Sequence, residues 1–291
     1  MKKLMSLVLA AMMLLAFAAC AAPKAEEAAA PAEAAAPAAT EAPAATEEPK
    51  QTVLDKIKAN GKLVVGTEAQ YAPYEFKDLE ANFVGCDMWL AEQIAAALGV
   101  ELEIVDMGFD GIIPAVQSGQ VDMGIAAFTW TEERAEVIDF SSIYEESPQA
   151  MIVKAGNEDV YTTKESLAGL KVGSQKGTIQ SLLIQKALPD SELFELDKYP
   201  ELALEVAQGN IAALVVDSAV GDGLVNANAD LAVGKFEFSK DDANFGKAIV
   251  MAQGNEDLVA EVNKVVDTAV ADGSYTKAYD EAVALAKTLG M

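Results

Sequence analysis

Residues 62–68 read KLVVGTE, 86–99 CDMWLAEQIAAALG, 100–107 VELEIVDM, 109–120 FDGIIPAVQSGQ and 121–128 VDMGIAAF. The first, third and fifth are short, strand-like apolar runs. The second and fourth have helical composition, and each ends on a glycine, Gly99 and Gly119, that can stop a helix. The order β–α–β–α–β predicts a mostly parallel sheet covered by helices.

The same rhythm returns downstream with different residues. LKVGSQ (170–175), SELFELD (191–197) and IAALVVDS (211–218) read as strands. TIQSLLIQKAL (178–188) and PELALEVAQGN (200–210) read as the helices between them. Two such units predict an α/β chain of two lobes, with 51–145 and 243–291 forming lobe I and 146–242 forming lobe II. The chain is expected to cross near 144–154 and return near 236–245, then to finish lobe I with FGKAIVM (245–251) and two final helices. Ligands of such sheets bind at the carboxyl ends of the strands, and two facing lobes make a cleft there.

The N-terminus reads as an address. Lys2 and Lys3 precede an apolar run that ends in small residues before Cys20, the layout of a secretory signal over 1–19. The run resembles a bacterial lipoprotein signal, which implies a lipid on Cys20. Residues 21–50 contain 15 Ala, five Pro and six Glu and no aromatic residue, so 20–50 is expected to be a disordered tether.

Composition removes several functions. Without Lys2 and Lys3 the chain keeps 19 basic against 46 acidic side chains, a net charge near −27. Nucleic-acid binding needs the opposite sign. There is no His, and Cys86 is the only Cys after Cys20. Histidine triads, Cys/His zinc sites and a disulfide within the body are therefore excluded, and no metal or cofactor is expected. Cys86 reads as a small buried hydrophobe.

Arg134 is the one Arg of the chain; the other 20 basic residues are Lys. Its planar guanidinium binds a carboxylate through two parallel hydrogen bonds, which an ammonium cannot do. It follows the strand of 121–128, in a segment that can equally hold it in a surface ion pair. Asp217 ends the strand of 211–218, where it can accept from a ligand ammonium or cap the next helix. Gly177 and Thr178 lie at a strand-to-helix turn whose N–H groups suit an anion. Tyr71 and Phe109 follow the first two strands, placed to sandwich a side chain or to pack in the core, and Glu68 stands beside them. A cation and an anion on opposite lobes would fit an α-amino acid and couple binding to hinge closure.

The motifs VVGTEAQYAPYEF (64–76), FVGCDMWLAEQIAAALGV (83–100), 109–147, LAGLKVGSQKGT (167–178), AALVVDS and ADGSYTKAYDE (271–281) resemble the extracellular amino-acid-binding proteins of bacterial ABC importers. The similarity covers about 54–279. It implies the type II periplasmic-binding-protein-like fold, with a two-segment hinge between lobes. By resemblance Arg134 grips the ligand carboxylate, helped by Thr129, the Ala127 backbone and Thr178, and Asp217 takes the ammonium. Tyr71 and Phe109 flank the ligand side chain, with Glu68 and Gln175 toward its far end. Glu68 favours a basic side chain; an amide or cystine is the alternative. The resemblance further implies a non-enzymatic monomer that delivers its ligand to an ABC permease from the outer face of the membrane. Rival readings are a cyclohexadienyl-dehydratase-like enzyme on the same fold and a ligand sensor for a separate receptor. Cys86, Trp130 and Ala219 depart from the family pattern, and Trp130 is expected to pack beneath the Arg134 loop.

Overall fold

The computed structural model describes residues 51–239 and 244–291. The signal, Cys20 and the tether lie outside the described residues.

The first helix, α1 (Val53–Asn60), is set by a reciprocal capping box between Thr52 and Asp55 and ended by left-handed Gly61. The chain then enters β1 (Lys62–Thr67). A small hairpin, β2 (Phe76–Lys77) and β3 (Phe83–Val84), precedes α2 (Cys86–Leu98). Gly85 before α2 has φ 124°, and a Cβ there would collide with the Tyr74 carbonyl, so only glycine fits. After α2 come β4 (Glu101–Asp106), α3 (Phe109–Ser118) and β5 (Met123–Gly124), with Gly99 and Gly119 ending the two helices as expected. Only two residues of the run 121–128 form ladder. Ala127 has φ 46°, and the chain turns out of the sheet around it.

A one-turn helix α4 (Glu132–Ala135) and β6 (Asp139–Phe140) lead to the ten-residue β7 (Glu145–Lys154). The second unit is β8 (Lys171–Gln175), α5 (Ile179–Ala187), β9 (Glu192–Leu196), α6 (Tyr199–Gln208), β10 (Ala213–Asp217), α7 (Ser218–Ala227) and β11 (Leu231–Val233). The chain returns through β12 (Asn244–Lys247) and β13 (Val250–Met251) and closes with α8 (Glu256–Ala271) and α9 (Ser274–Thr288).

These strands make two main sheets. The first has the order β4–β1–β5–β13–β6, with β1 parallel to β4 and β5 and with β13 antiparallel to β5 and β6. The second has the order β11–β7–β10–β8–β9, parallel between β10, β8 and β9 and antiparallel where β7 joins. The fold is thus a mixed α/β one with two sheet-bearing lobes. The parallel half of each sheet is the half read from the sequence. The crossing segments add the antiparallel half.

The two crossings pair with each other. β12 runs antiparallel to the start of β7, from Lys247 opposite Glu145 to Asn244 opposite Pro148. In the first lobe the core lies between the sheet and α2, α8 and α9, with Leu90, Ile94, Leu258, Val262 and Val266 fully buried. Each such side chain contributes about 1.5–3 kcal/mol by leaving water. That packing fixes the frame from which the loops at the strand ends project.

Candidate functional site

The loops at the carboxyl ends of β1, β5, β8 and β10 converge on one cavity of about 320 Å³. All nine residues expected at a ligand line it: Glu68, Tyr71, Phe109, Ala127, Thr129, Arg134, Gln175, Thr178 and Asp217.

Arg134 is carried by α4, whose N-cap Thr131 accepts the Arg134 N–H at 3.1 Å. The guanidinium is not in a surface ion pair; no carboxylate pairs with it among the described residues. Nη1 donates to the Thr129 carbonyl at 2.8 Å and Nη2 to the Gly177 carbonyl at 3.0 Å. The group lies 5.8 and 5.7 Å from the ring centres of Phe109 and Phe128, which stack on each other at 4.6 Å. Burial lowers its pKa to about 10, so it stays charged at neutral pH. Two of its five N–H donors serve those carbonyls, which leaves capacity for an anion.

Asp217 stands at the end of β10 and is 2 % exposed. It caps nothing: no side-chain bond reaches the first turn of α7. Its Oδ1 accepts from Gln149 Nε2 at 2.6 Å. Its Oδ2 accepts from the Tyr71 hydroxyl at 2.6 Å and from Lys247 Nζ at 2.7 Å. Gln180 Nε2 holds Gln149 in place from α5 at 2.8 Å. Lys247 is 0 % exposed, and its ammonium lies 4.7 Å from the centre of the Tyr74 ring. A pair this dry balances a large desolvation cost against a large attraction, and removing one member leaves a bare buried charge.

Thr178 occupies the N-cap position of α5 but does not cap it; its hydroxyl donates to the Gln175 carbonyl at 2.6 Å. Gly177 before it has φ 76°, and Asp110 from the other lobe sits 3.2 Å from where a Cβ would be. Tyr71 packs its ring between Tyr74 and Tyr199, at 5.7 and 5.3 Å. Glu68 is buried and meets Gln175 Nε2 at 3.4 Å, a donor that also serves the Asp197 carbonyl at 2.7 Å. Burial pushes Glu68 up to about 7.

Two expectations need correction. The Ala127 N–H does not face a ligand; it donates to Asp87 Oδ2 at 2.8 Å. A left-handed φ turns the Ala127 peptide inward toward that acid. Trp130 is not packed beneath the loop; it is 49 % exposed, with its backbone N–H on the Gly246 carbonyl at 3.0 Å. That bond turns its side chain outward. Cys86 is buried as expected.

Sequence reasoning missed Lys247, Gln149, Gln180, Tyr199, Glu75 and Asp87. The one signal for Lys247 was a charge inside the strand-like run FGKAIVM.

Residues 63–283 match the bacterial extracellular solute-binding proteins, family 3. The chain belongs to that family. Among curated relatives it is 31 % identical to the L-cystine-binding protein TcyJ of Escherichia coli over 223 residues, covering 76 % of this chain and 82 % of TcyJ. Among solved structures it is similar to the amino acid ABC transporter substrate-binding protein AbpA of Streptococcus pneumoniae bound to L-arginine. That match has 34 % identity and a TM-score of 0.77, and covers 80 % of this chain and 98 % of AbpA. It is also similar to the ancestral amino acid-binding protein AncCDT-1, a precursor of cyclohexadienyl dehydratase. There the identity is 33 %, the TM-score 0.72 and the coverage 79 % and 99 %. The family is one of extracellular solute-binding proteins, and the family relation gives this chain an extracytoplasmic place among the amino-acid-binding proteins of ABC transporters.

Proposed function

We propose that the chain binds a basic α-amino acid in this cavity and delivers it to an ABC permease. It does so as a monomer on the outer face of the membrane, tethered through a lipid on Cys20. The observation that carries the reading is the opposition of half-buried Arg134 and buried Asp217, charges of opposite sign that line one cavity from different lobes. Arg134, with Thr129 and Thr178 beside it, takes the carboxylate. Asp217 takes the ammonium, with Tyr71 and Phe109 along the side chain and Gln175 and Glu68 at its far end. A distal ammonium or guanidinium there would draw Glu68 into its ionised form and gain a charge-assisted hydrogen bond. A carboxyl near 7 is also what a general acid needs, which keeps the dehydratase alternative in view.

The test is thermal unfolding of residues 51–291 against the twenty amino acids and cystine. A ligand at 100 times its Kd adds about 2.7 kcal/mol. Arginine or lysine should raise the midpoint most. A shift with neutral amino acids alone would remove the basic preference. No shift at all, together with conversion of prephenate to phenylpyruvate, would replace transport with catalysis.

A further inference from the structure

At the cavity wall, two carboxyl oxygens have no donor from the protein: Oε2 of Glu75, which lines the cavity, and Oδ1 of Asp87, which does not. Glu75 is 1 % exposed and Asp87 is 0 %. Glu75 closes the turn that begins at Tyr71, with the Tyr71 N–H on its carbonyl at 2.8 Å. Asp87 lies in the first turn of α2. The Asp87 N–H donates to the Tyr74 carbonyl at 2.9 Å, which sets the start of α2 against the segment that carries Glu75, and each acid raises or lowers the proton affinity of the other. Two ionised carboxylates in such a place would repel without solvent to separate them. One proton between them converts two unsatisfied acceptors into a donor and an acceptor.

The surroundings decide which group holds the proton. Asp87 Oδ2 accepts from the Ala127 N–H at 2.8 Å and from the Tyr144 hydroxyl at 3.0 Å. Both bonds stabilise an ionised Asp87. No such donor reaches Glu75 Oε2. Facing the pair are Glu68 at the end of β1, Lys247 of β12, Cys86 of α2, and Tyr144 and Glu145 at the start of β7. Of these Lys247 is the only cation, and its ammonium is already bonded to Asp217.

We propose that Glu75 is a neutral carboxylic acid donating to Asp87, and that this proton positions the carboxylate-gripping loop through the bond from Ala127. The consequence for Arg134 rests on the proposed function; the proton itself does not. The same acid that receives this proton holds Ala127 at its left-handed φ, two residues before Thr129, whose carbonyl orients Arg134. Glu75 is therefore a positioning residue. Burial, then the proximity of Asp87 and Glu68, holds its carboxyl well above the usual range.

The experiment is the infrared spectrum of the whole protein at pH 8, where Glu68 is mostly ionised, in the region of the protonated carboxyl C=O stretch. Wild type should show a band that is absent from Glu75→Gln. Asp87→Asn should keep it, because burial still holds the Glu75 carboxyl neutral and the Asn oxygen can accept from it. With L-arginine as probe, Glu75→Leu, which cannot donate, should weaken binding at least about tenfold more than Glu75→Gln. No band in wild type, a band that survives in Glu75→Gln, or a band lost in Asp87→Asn overturns the proposal. Failure of L-arginine to bind would count against the functional reading and leave the spectrum as the test of the proton.

Discussion

The two charged ends of the cavity are held in opposite ways. Arg134 is surrounded by neutral partners, the Thr129 and Gly177 carbonyls and the faces of Phe109 and Phe128. Asp217 accepts from Tyr71, Gln149 and Lys247, which leaves one lone-pair site on Oδ1, and Lys247 offsets its charge. The uncompensated charge therefore sits at the carboxylate end of a bound amino acid. Recognition should weigh more on Arg134, and folding more on Asp217.

The largest expected effect tests the folding half. Asp217→Ala leaves Lys247 buried and unpaired and should cost about 3–5 kcal/mol in denaturant unfolding. A loss under about 1 kcal/mol would mean that water or another acid rescues Lys247, and the contrast between the ends would fall. Next comes Arg134→Ala, which should weaken ligand binding by about 2–5 kcal/mol in calorimetry. Its unfolding free energy should move by less than about 1 kcal/mol, since no acid is orphaned. Arg134→Lys should not restore affinity, because an ammonium cannot bind a carboxylate through a planar pair of donors. Equal losses of stability and affinity in Arg134→Ala would remove the distinction.

The smallest effect sharpens the far end. Glu68 ionises at about 7 in the native protein. Between its ordinary pKa and 7 the native state keeps a proton that the unfolded chain has shed, so this acid lowers stability as pH rises through that window. A cationic side chain must displace the proton. Affinity for arginine should thus fall on acidification below 7, approaching tenfold per pH unit, and level off above it. Glu68→Gln should bind arginine about tenfold more weakly at pH 8 and flatten the profile. A profile that stays steep in Glu68→Gln would point to a different titrating group.

The parts legible in the sequence are those with local causes. Strand and helix runs declare themselves by apolar spacing, and two helix ends by Gly99 and Gly119, both in left-handed conformation. Arg134 declared itself by being the only Arg in a lysine-rich chain. Lys247 did not, because a Lys in a short strand reads as a solvated edge. Its burial depends on Asp217, thirty residues away in sequence at the end of β10. Glu75 and Asp87 were silent for the same reason: an acid after an aromatic turn, or at a helix start, has an ordinary local explanation. Ala127 misled because alanine gives no warning of a positive φ. Trp130 misled because a large aromatic next to a functional loop suggests packing, whereas a bond to the returning strand faces it outward.

The crossing between the sheets is a paired ladder, four residues of β12 against the first four of β7. Two separate linkers would let the lobes slide, tilt and swing independently. Here the register holds the two segments at a fixed offset, so translation along them is blocked while rotation about the pair is not. Any relative motion of the lobes would then be confined mostly to that rotation. One label on each lobe would then be enough to follow it, because one distance would serve as the coordinate for the whole movement.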